Sequence, residues 1–242
     1  MSTIEKKFSI LAKYLLLMND FIGFKSKSFV LGRGRITSSQ KTAIEKYKKK
    51  WVLEIIDGHI APDLIFGRKA PLMLEIGFGM GDFLINYAIQ NPSWNVIGIE
   101  VYRAGIGKVL RTIKKNEVNN LRLIEGDAVE ICQKMFGEKT FQTINLFFPD
   151  PWPKKKHHKR RIVDTEFIKN VAKILDSSGV FFCSTDNENY ANFIKNKLNE
   201  SKIFTIQKQI LLKKNNKRFI SKFEQRAIDS NSKIFNFAFE KI

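Results

Sequence analysis

The sequence predicts an α/β fold built on a mostly parallel sheet. From Leu72 onward, short apolar runs alternate with amphipathic helical patterns. The runs are continuous rather than polar at every second residue, as strands buried on both faces are. The first of them leads into Glu75-Ile76-Gly77-Phe78-Gly79-Met80-Gly81. That is a glycine-rich strand-to-helix turn, placed where open parallel sheets bind ligands.

The periodicity places seven strands, at 72–76, 95–100, 121–125, 142–147, 179–184, 203–209 and 234–240. Helices are expected between them at 81–91, 103–117, 128–135, 164–175 and 188–200, covering both faces of the sheet. No helical pattern separates the last two strands, only a basic loop near 212–222, so they should form an antiparallel hairpin at one sheet edge. Upstream, Gly32-Arg33-Gly34-Arg35 precedes Thr37-Ser38-Ser39 and a Lys-rich helical stretch that runs to Trp51. A hydroxyl at 37–39 is suited to cap that helix. Residues 1–50 are read as a basic, partly mobile N-terminal extension, and 51–242 as the main domain.

Of the 242 residues, 43% are hydrophobic, enough for a substantial core. Lys and Arg number 42 against 24 Asp and Glu, a net charge of +18. Lysine clustering makes a polyanion the expected partner, bound by phosphate neutralisation and counterion release. Cys132, Cys183 and the three histidines show no metal-ligand spacing, so no metal is expected. Two isolated cysteines in apolar surroundings read as core residues of a reducing compartment. The apolar stretch Ile10–Met18 is interrupted by Lys13 and far too short to span a bilayer. A cytoplasmic protein with no membrane partner is expected.

Gly77, Gly79 and Gly81 follow a G-x-G-x-G spacing; a third dinucleotide-type glycine would fall at position 82, which is Asp82. This spacing, and the lack of a hydride-transfer constellation, disfavour a nicotinamide oxidoreductase. Glu100 ends the second strand 23 residues after Gly77, where an acid can accept both hydroxyls of a ribose. Asp127 follows the third strand in Glu-Gly-Asp-Ala, within reach of an adenine, and Glu75 lies just before the glycines, near where a ligand ammonium would sit.

Residues 147–161 read Phe-Phe-Pro-Asp-Pro-Trp-Pro-Lys-Lys-Lys-His-His-Lys-Arg-Arg. Asp150 is held between two prolines that fix the neighbouring φ angles. Six of the eight residues after Pro153 are Lys or Arg. An anchored acid beside Trp152, followed at once by a cationic run, suits chemistry on a base held in a polyanion. Trp152 is either a stacking platform for that base or a core anchor.

The glycine loop, Glu100 and Gly-Asp127-Ala resemble a class I S-adenosylmethionine-dependent methyltransferase of Rossmann-like fold. The Pro-Asp-Pro-Trp segment with its basic tail resembles, more narrowly, the bacterial tRNA (guanine-N7-)-methyltransferase family, over roughly residues 29–240. The resemblance implies methyl transfer from S-adenosylmethionine to N7 of a variable-loop guanine in tRNA. It implies Glu75, Glu100, Asp127 and Asp150 on the cofactor, with Asp150 also the active-site residue. Lys154 matches a substrate-touching lysine, and Lys156, His157, His158, Lys159, Arg160 and Arg161 match a run that contacts RNA. Asp186 in Ser-Thr-Asp-Asn fits a substrate-binding acid. Ser221-Lys222-Phe223-Glu224 corresponds to a late Thr-Lys-(Phe/Tyr)-Glu motif, with Ser for Thr, and Pro153 stands where the family commonly has His.

Other basic residues at 41–50 and 208–222 are further candidates for RNA contact. Two other readings compete. A methyltransferase acting on an exocyclic amine would favour an Asn/Asp-Pro-Pro-Tyr element after the fourth strand, which is absent. A non-catalytic RNA-binding protein on a degenerate fold conflicts with the intact glycine loop and its three acids. No obligate protein partner is evident, and monomer and homodimer both stay open.

Overall fold

The computed structural model describes residues 27–29, 35–207, 225, 228–230 and 232–242. Seven helices and eight strands of these residues order as α1 (Ser38–Trp51), β1 (Val52–Leu53), α2 (Pro62–Phe66), β2 (Leu72–Ile76), α3 (Asp82–Gln90), β3 (Asn95–Glu100), α4 (Arg103–Lys115), β4 (Leu121–Glu125), α5 (Ala128–Lys134), β5 (Phe141–Phe147), α6 (Thr165–Ile174), β6 (Leu175–Thr185), α7 (Glu188–Ser201), β7 (Phe204–Ile206) and β8 (Phe235–Lys241). A 3₁₀ helix, Lys155–Arg160, stands between β5 and α6. The eight strands form one sheet in the order β1-β4-β3-β2-β5-β6-β8-β7. All pairings are parallel except β6 with β8 and β7 with β8. The α/β class, the parallel body and the antiparallel edge are those read from the sequence. The eighth strand is the addition: β1 is two residues long and pairs with β4, too short for any periodicity to reveal.

Burial explains why the strands read as unbroken apolar runs. Every residue of β2 and β3 is buried. Leu72, Leu74 and Ile76 face one core cluster together with α5, α6 and α7, whereas Met73 faces another with α1, α3 and α4. The two-residue period of the strand therefore feeds two cores, one on each face. Cys132 and Cys183 are both free and buried in the first of them. Burial pushes the Cys132 thiol up to about 12, and the Cys183 thiol is raised further.

Helix α1 opens with a capping box, in which the Thr37 side chain accepts from the Gln40 amide while the Gln40 side chain accepts from the Thr37 amide. Its Ala43, Ile44 and Trp51 are buried against α4 in the second cluster. Gly107 of α4 makes this packing possible: a Cβ there would lie 2.7 Å from the Gln40 carbonyl oxygen.

Register aligns the carboxyl ends of the parallel strands. Ile76 pairs with Ile99 and with Leu146, Glu100 with Glu125, and Phe147 with Ser184. After β2 the chain builds β3 and β4 to one side, then crosses back to lay β5 and β6 on the other. The divergence between β2 and β5 opens a crevice at that edge, where such sheets bind ligands. Replacing Gly107 with Ala should force α1 off α4 and lower stability by about 1–3 kcal/mol, the usual cost of overpacking, measured by urea unfolding.

Candidate active site

The glycine turn forms the floor of the crevice. Gly77, Gly79 and Gly81 all adopt positive φ, between 54° and 73°. At Gly81 that conformation coincides with a close approach, because a Cβ would collide with Val109 of α4. Gly105, also on α4, packs against the Gly79 carbonyl so closely that no side chain fits between them. The loop is thus clamped by backbone on one side and hydrogen-bonded on the other. Gly77 donates to the Ile99 carbonyl at 2.9 Å and Gly79 donates to the Glu100 carboxylate at 2.6 Å.

Glu100 is 8% exposed. Its second oxygen accepts from the amides of Val101 and Tyr102 at 2.7 and 3.0 Å. A buried carboxylate needs such donors, and here they come from backbone that is already fixed. The carboxylate borders the cavity and keeps lone pairs for ligand hydroxyls. Asp127 caps α5, accepting from the Val129 amide at 3.0 Å through one oxygen. Its neighbours Gly126 and Ala128 line the cavity. Glu75 is 4% exposed, on the sheet face shared with Asn145 of β5. It stands one residue short of the cavity wall formed by Ile76 and Gly77.

The cavity holds about 350 Å³, and its far wall is the loop after β5, including Phe148, Pro149 and Asp150. Asp150 is exposed as well as lining the cavity, so the residue stands between the pocket and the outside. The loop is conformationally constrained. Phe148 and Trp152 take φ of 51° and 45°, in the left-handed region, and the peptide bonds of the described residues are all trans. Such conformations cost about 1–3 kcal/mol each and concentrate at functional sites. The Phe148 amide donates to the Ser184 carbonyl at 2.8 Å, tying the loop to β6. Asp186 is exposed just after β6, on the loop next to that of Asp150.

The basic run is a 3₁₀ helix and not an irregular tail. Lys154, Lys155, Lys156 and Lys159 are exposed. His157 turns its edge to the Trp152 ring, and partial burial, then the charges of Lys156, Arg160 and Lys154, hold its pKa below the ordinary value. Arg160 stacks over Trp152 at 3.7 Å and donates to the Lys27 and Phe29 carbonyls, while the Trp152 indole donates to the Ser28 carbonyl at 3.2 Å. Trp152 is half-buried and belongs to neither core cluster; Arg160 lies over its ring and its indole holds Ser28. Arg161 is buried, 4% exposed, with its guanidinium directed inward to Pro151 and Asn189. Its donors are committed within the fold, unlike those of the exposed lysines of the run.

Ser28, Phe29, Tyr102 and Ile162 also line the cavity, and sequence reasoning gave none of them a role in the site. Tyr102 carried a signal in its place two residues beyond the strand-end acid; Ser28 and Phe29 open the 28–37 stretch that resembles the family's N-terminal segment, a resemblance that gave them no place in the site. Ser221, Lys222, Phe223 and Glu224 lie outside the described residues, as does all of 208–222. Among the described residues, no group of three or more His, Cys, Asp or Glu is arranged to hold a metal ion, and no helix is long and apolar enough to cross a membrane.

The family described as "Putative methyltransferase" matches residues 69–237. A tRNA (guanine-N(7)-)-methyltransferase of Buchnera aphidicola from Schizaphis graminum is 39% identical over 221 residues, covering 89% of this chain and 91% of its own. The chain belongs to this methyltransferase family. A relative of the same name from Colwellia psychrerythraea is 44% identical over 167 residues, 69% of this chain and 68% of its own. A solved antibiotic-related methyltransferase matches the fold with a TM-score of 0.53 at 17% identity, covering 78% of this chain and 97% of that one.

The residues present fit S-adenosylmethionine. A volume of about 350 Å³ is within the range of about 300–1,000 Å³ usual for small-ligand sites. The glycine loop admits close backbone approach, Glu100 suits a ribose and Asp127 an adenine edge, each on a fixed scaffold. Glu100→Gln should raise the dissociation constant for S-adenosylmethionine about tenfold to a hundredfold, the worth of a charge-assisted hydrogen bond of about 1.5–3 kcal/mol, measured by calorimetry.

Proposed function

We propose that the protein transfers a methyl group from S-adenosylmethionine to N7 of a guanine in tRNA, with the variable-loop guanine as the target. One observation carries the reading: Asp150 stands at the rim of the cofactor cavity, open to solvent, with an exposed cationic 3₁₀ helix directly behind it.

The cofactor, when bound, supplies an electrophilic methyl on a sulfonium. Guanine N7 carries a lone pair and no proton, so its attack needs no general base. The product ring is cationic. What the protein must supply is alignment and charge complementarity. Asp150 does both in this reading, either by holding the N1–H and N2–H edge of guanine or by facing the ring as positive charge develops. Its flanking prolines and the left-handed residues at 148 and 152 fix where the carboxylate stands. Asp186, on the adjacent loop, is the next carboxylate able to reach the base edge. Phe29, Phe147 and Phe148 line the cavity and keep water from the reacting atoms.

Lys154 is the first basic residue beyond the loop and touches the substrate nucleotide. Lys156 and Lys159 contact phosphates, with His157 and His158 on the same helix. A tRNA substrate and two buried free thiols suit a cytoplasmic protein.

Incubating unmodified tRNA with labelled cofactor and mapping the modified nucleotide should return 7-methylguanosine in the variable loop. Asp150→Ala should abolish that signal while leaving the thermal unfolding transition in place; full activity in this variant would remove Asp150 from the reaction. Replacing both Lys156 and Lys159 with Ala should weaken tRNA binding and flatten its dependence on log salt by about 0.7–0.9 for each phosphate no longer neutralised, with cofactor affinity unchanged. A salt slope equal to wild type would place the phosphates elsewhere.

A further inference from the structure

Of the eight residues from Lys154 to Arg161, Arg161 alone is buried. Its Nε donates to the Pro151 carbonyl at 2.9 Å, and one terminal nitrogen donates to Asn189 Oδ1 at 2.7 Å. The same nitrogen meets His158 Nε2 at 3.2 Å. A guanidinium has no acceptor, so the imidazole accepts there. The guanidinium also lies against the rings of Tyr190 and Phe193, 4.9 and 4.8 Å from their centroids.

These partners belong to two elements that the sheet alone does not join. Pro151 is the residue after Asp150. Asn189, Tyr190 and Phe193 are on α7, which is packed into the core through Tyr190, Ala191, Ile194 and Leu198. Asp150 is close enough to Tyr190 for its charge to add to the upward shift that burial imposes on the phenol. The loop carrying the exposed carboxylate is therefore fixed at one end by the Phe148 amide on β6 and at the other by this fork.

We propose that Arg161 is a positioning residue for methyl transfer, whose guanidinium locks the Pro151 carbonyl to α7 and so sets Asp150 against the cofactor cavity. The planar fork matters more than the charge. A lysine could reach one of the two oxygens but could not span both in fixed geometry. The last arginine of the cationic run thus acts on the chemistry, while the exposed lysines act on the polyanion. This inference rests on the role of Asp150 given above.

The test compares Arg161→Met, which keeps length and apolar packing, with Arg161→Lys and Asn189→Ala, in single-turnover methylation of unmodified tRNA. In Arg161→Met the rate at saturating substrates should fall about tenfold to a hundredfold, the effect of misplacing a reacting group by an ångström. The dissociation constants for tRNA and cofactor, and the salt slope of tRNA binding, should stay at the wild-type values. Arg161→Lys should recover part of the rate, and Asn189→Ala, which cuts the fork from the other end, should lose several-fold. A wild-type rate in Arg161→Met, or weaker tRNA binding with a shallower salt slope at unchanged rate, overturns the inference. If Arg161→Met does not fold, Asn189→Ala decides, and a wild-type rate there overturns it too. Asp150→Ala runs alongside. Activity in that variant defeats the reading of Asp150 itself, whereas an inactive Asp150→Ala beside a fully active Arg161→Met defeats only the positioning role.

Discussion

Glu100 is where the sheet and the glycine turn become one object. A carboxylate this deeply covered would cost several kcal/mol if left without donors. Three backbone amides answer it, two from its own strand end and one from Gly79 in the loop after β2. The bond to Gly79 fixes the turn against the end of the neighbouring strand. The turn in turn sits under α4 through Gly105. Parallel pairing of β2 with β3 and β5 then puts the Asp150 loop opposite the same carboxylate across the cavity. Shifting any of these pairings by one residue would turn the strand-end side chains to the other face and dissolve the site.

The two arginines that close the basic run divide their labour in space. Arg160 covers Trp152 and holds the carbonyls of Lys27 and Phe29, so the Ser28–Phe29 wall of the cavity depends on the loop that carries Asp150. Arg161 turns the opposite way, into α7. Both spend their donors on acceptors within the fold, chiefly backbone and amide oxygens, where a fork geometry gives direction as well as energy. Lysines occupy the exposed positions, where a flexible point charge is sufficient to follow a phosphate backbone.

Most of the fold was readable because the parallel strands are buried on both sides. Unbroken runs such as Leu72–Ile76 and Asn95–Glu100 leave little room for another assignment, and the structure places both strands over those residues. What escaped notice was short or aperiodic. Strand β1 has two residues and α2 has five, and the 3₁₀ helix of Lys155–Arg160 has no apolar stripe to betray it. The acids of the site were legible because each falls at a strand end, a place defined by local pattern. The burial of Arg161 was not legible, because composition makes any Arg in a basic run look solvated. Its burial depends on Tyr190 and Phe193, almost thirty residues further on, and only the tertiary fold brings them together. That Ser28 and Phe29 reach the cavity was hidden for the same reason.

The sheet ends in very little strand. Among the described residues, one outer margin is Val52–Leu53 and the other is Phe204–Ile206. The six longer strands that a neighbouring molecule could extend into a fibril are all interior. Among the described residues, each margin offers a strand of only two or three residues, too short to template a stable ladder. One margin follows directly on the Lys48-Lys49-Lys50 turn of α1, whose charge repels a second copy. The strands richest in the residue types that aggregate most readily are kept from the margins by this strand order.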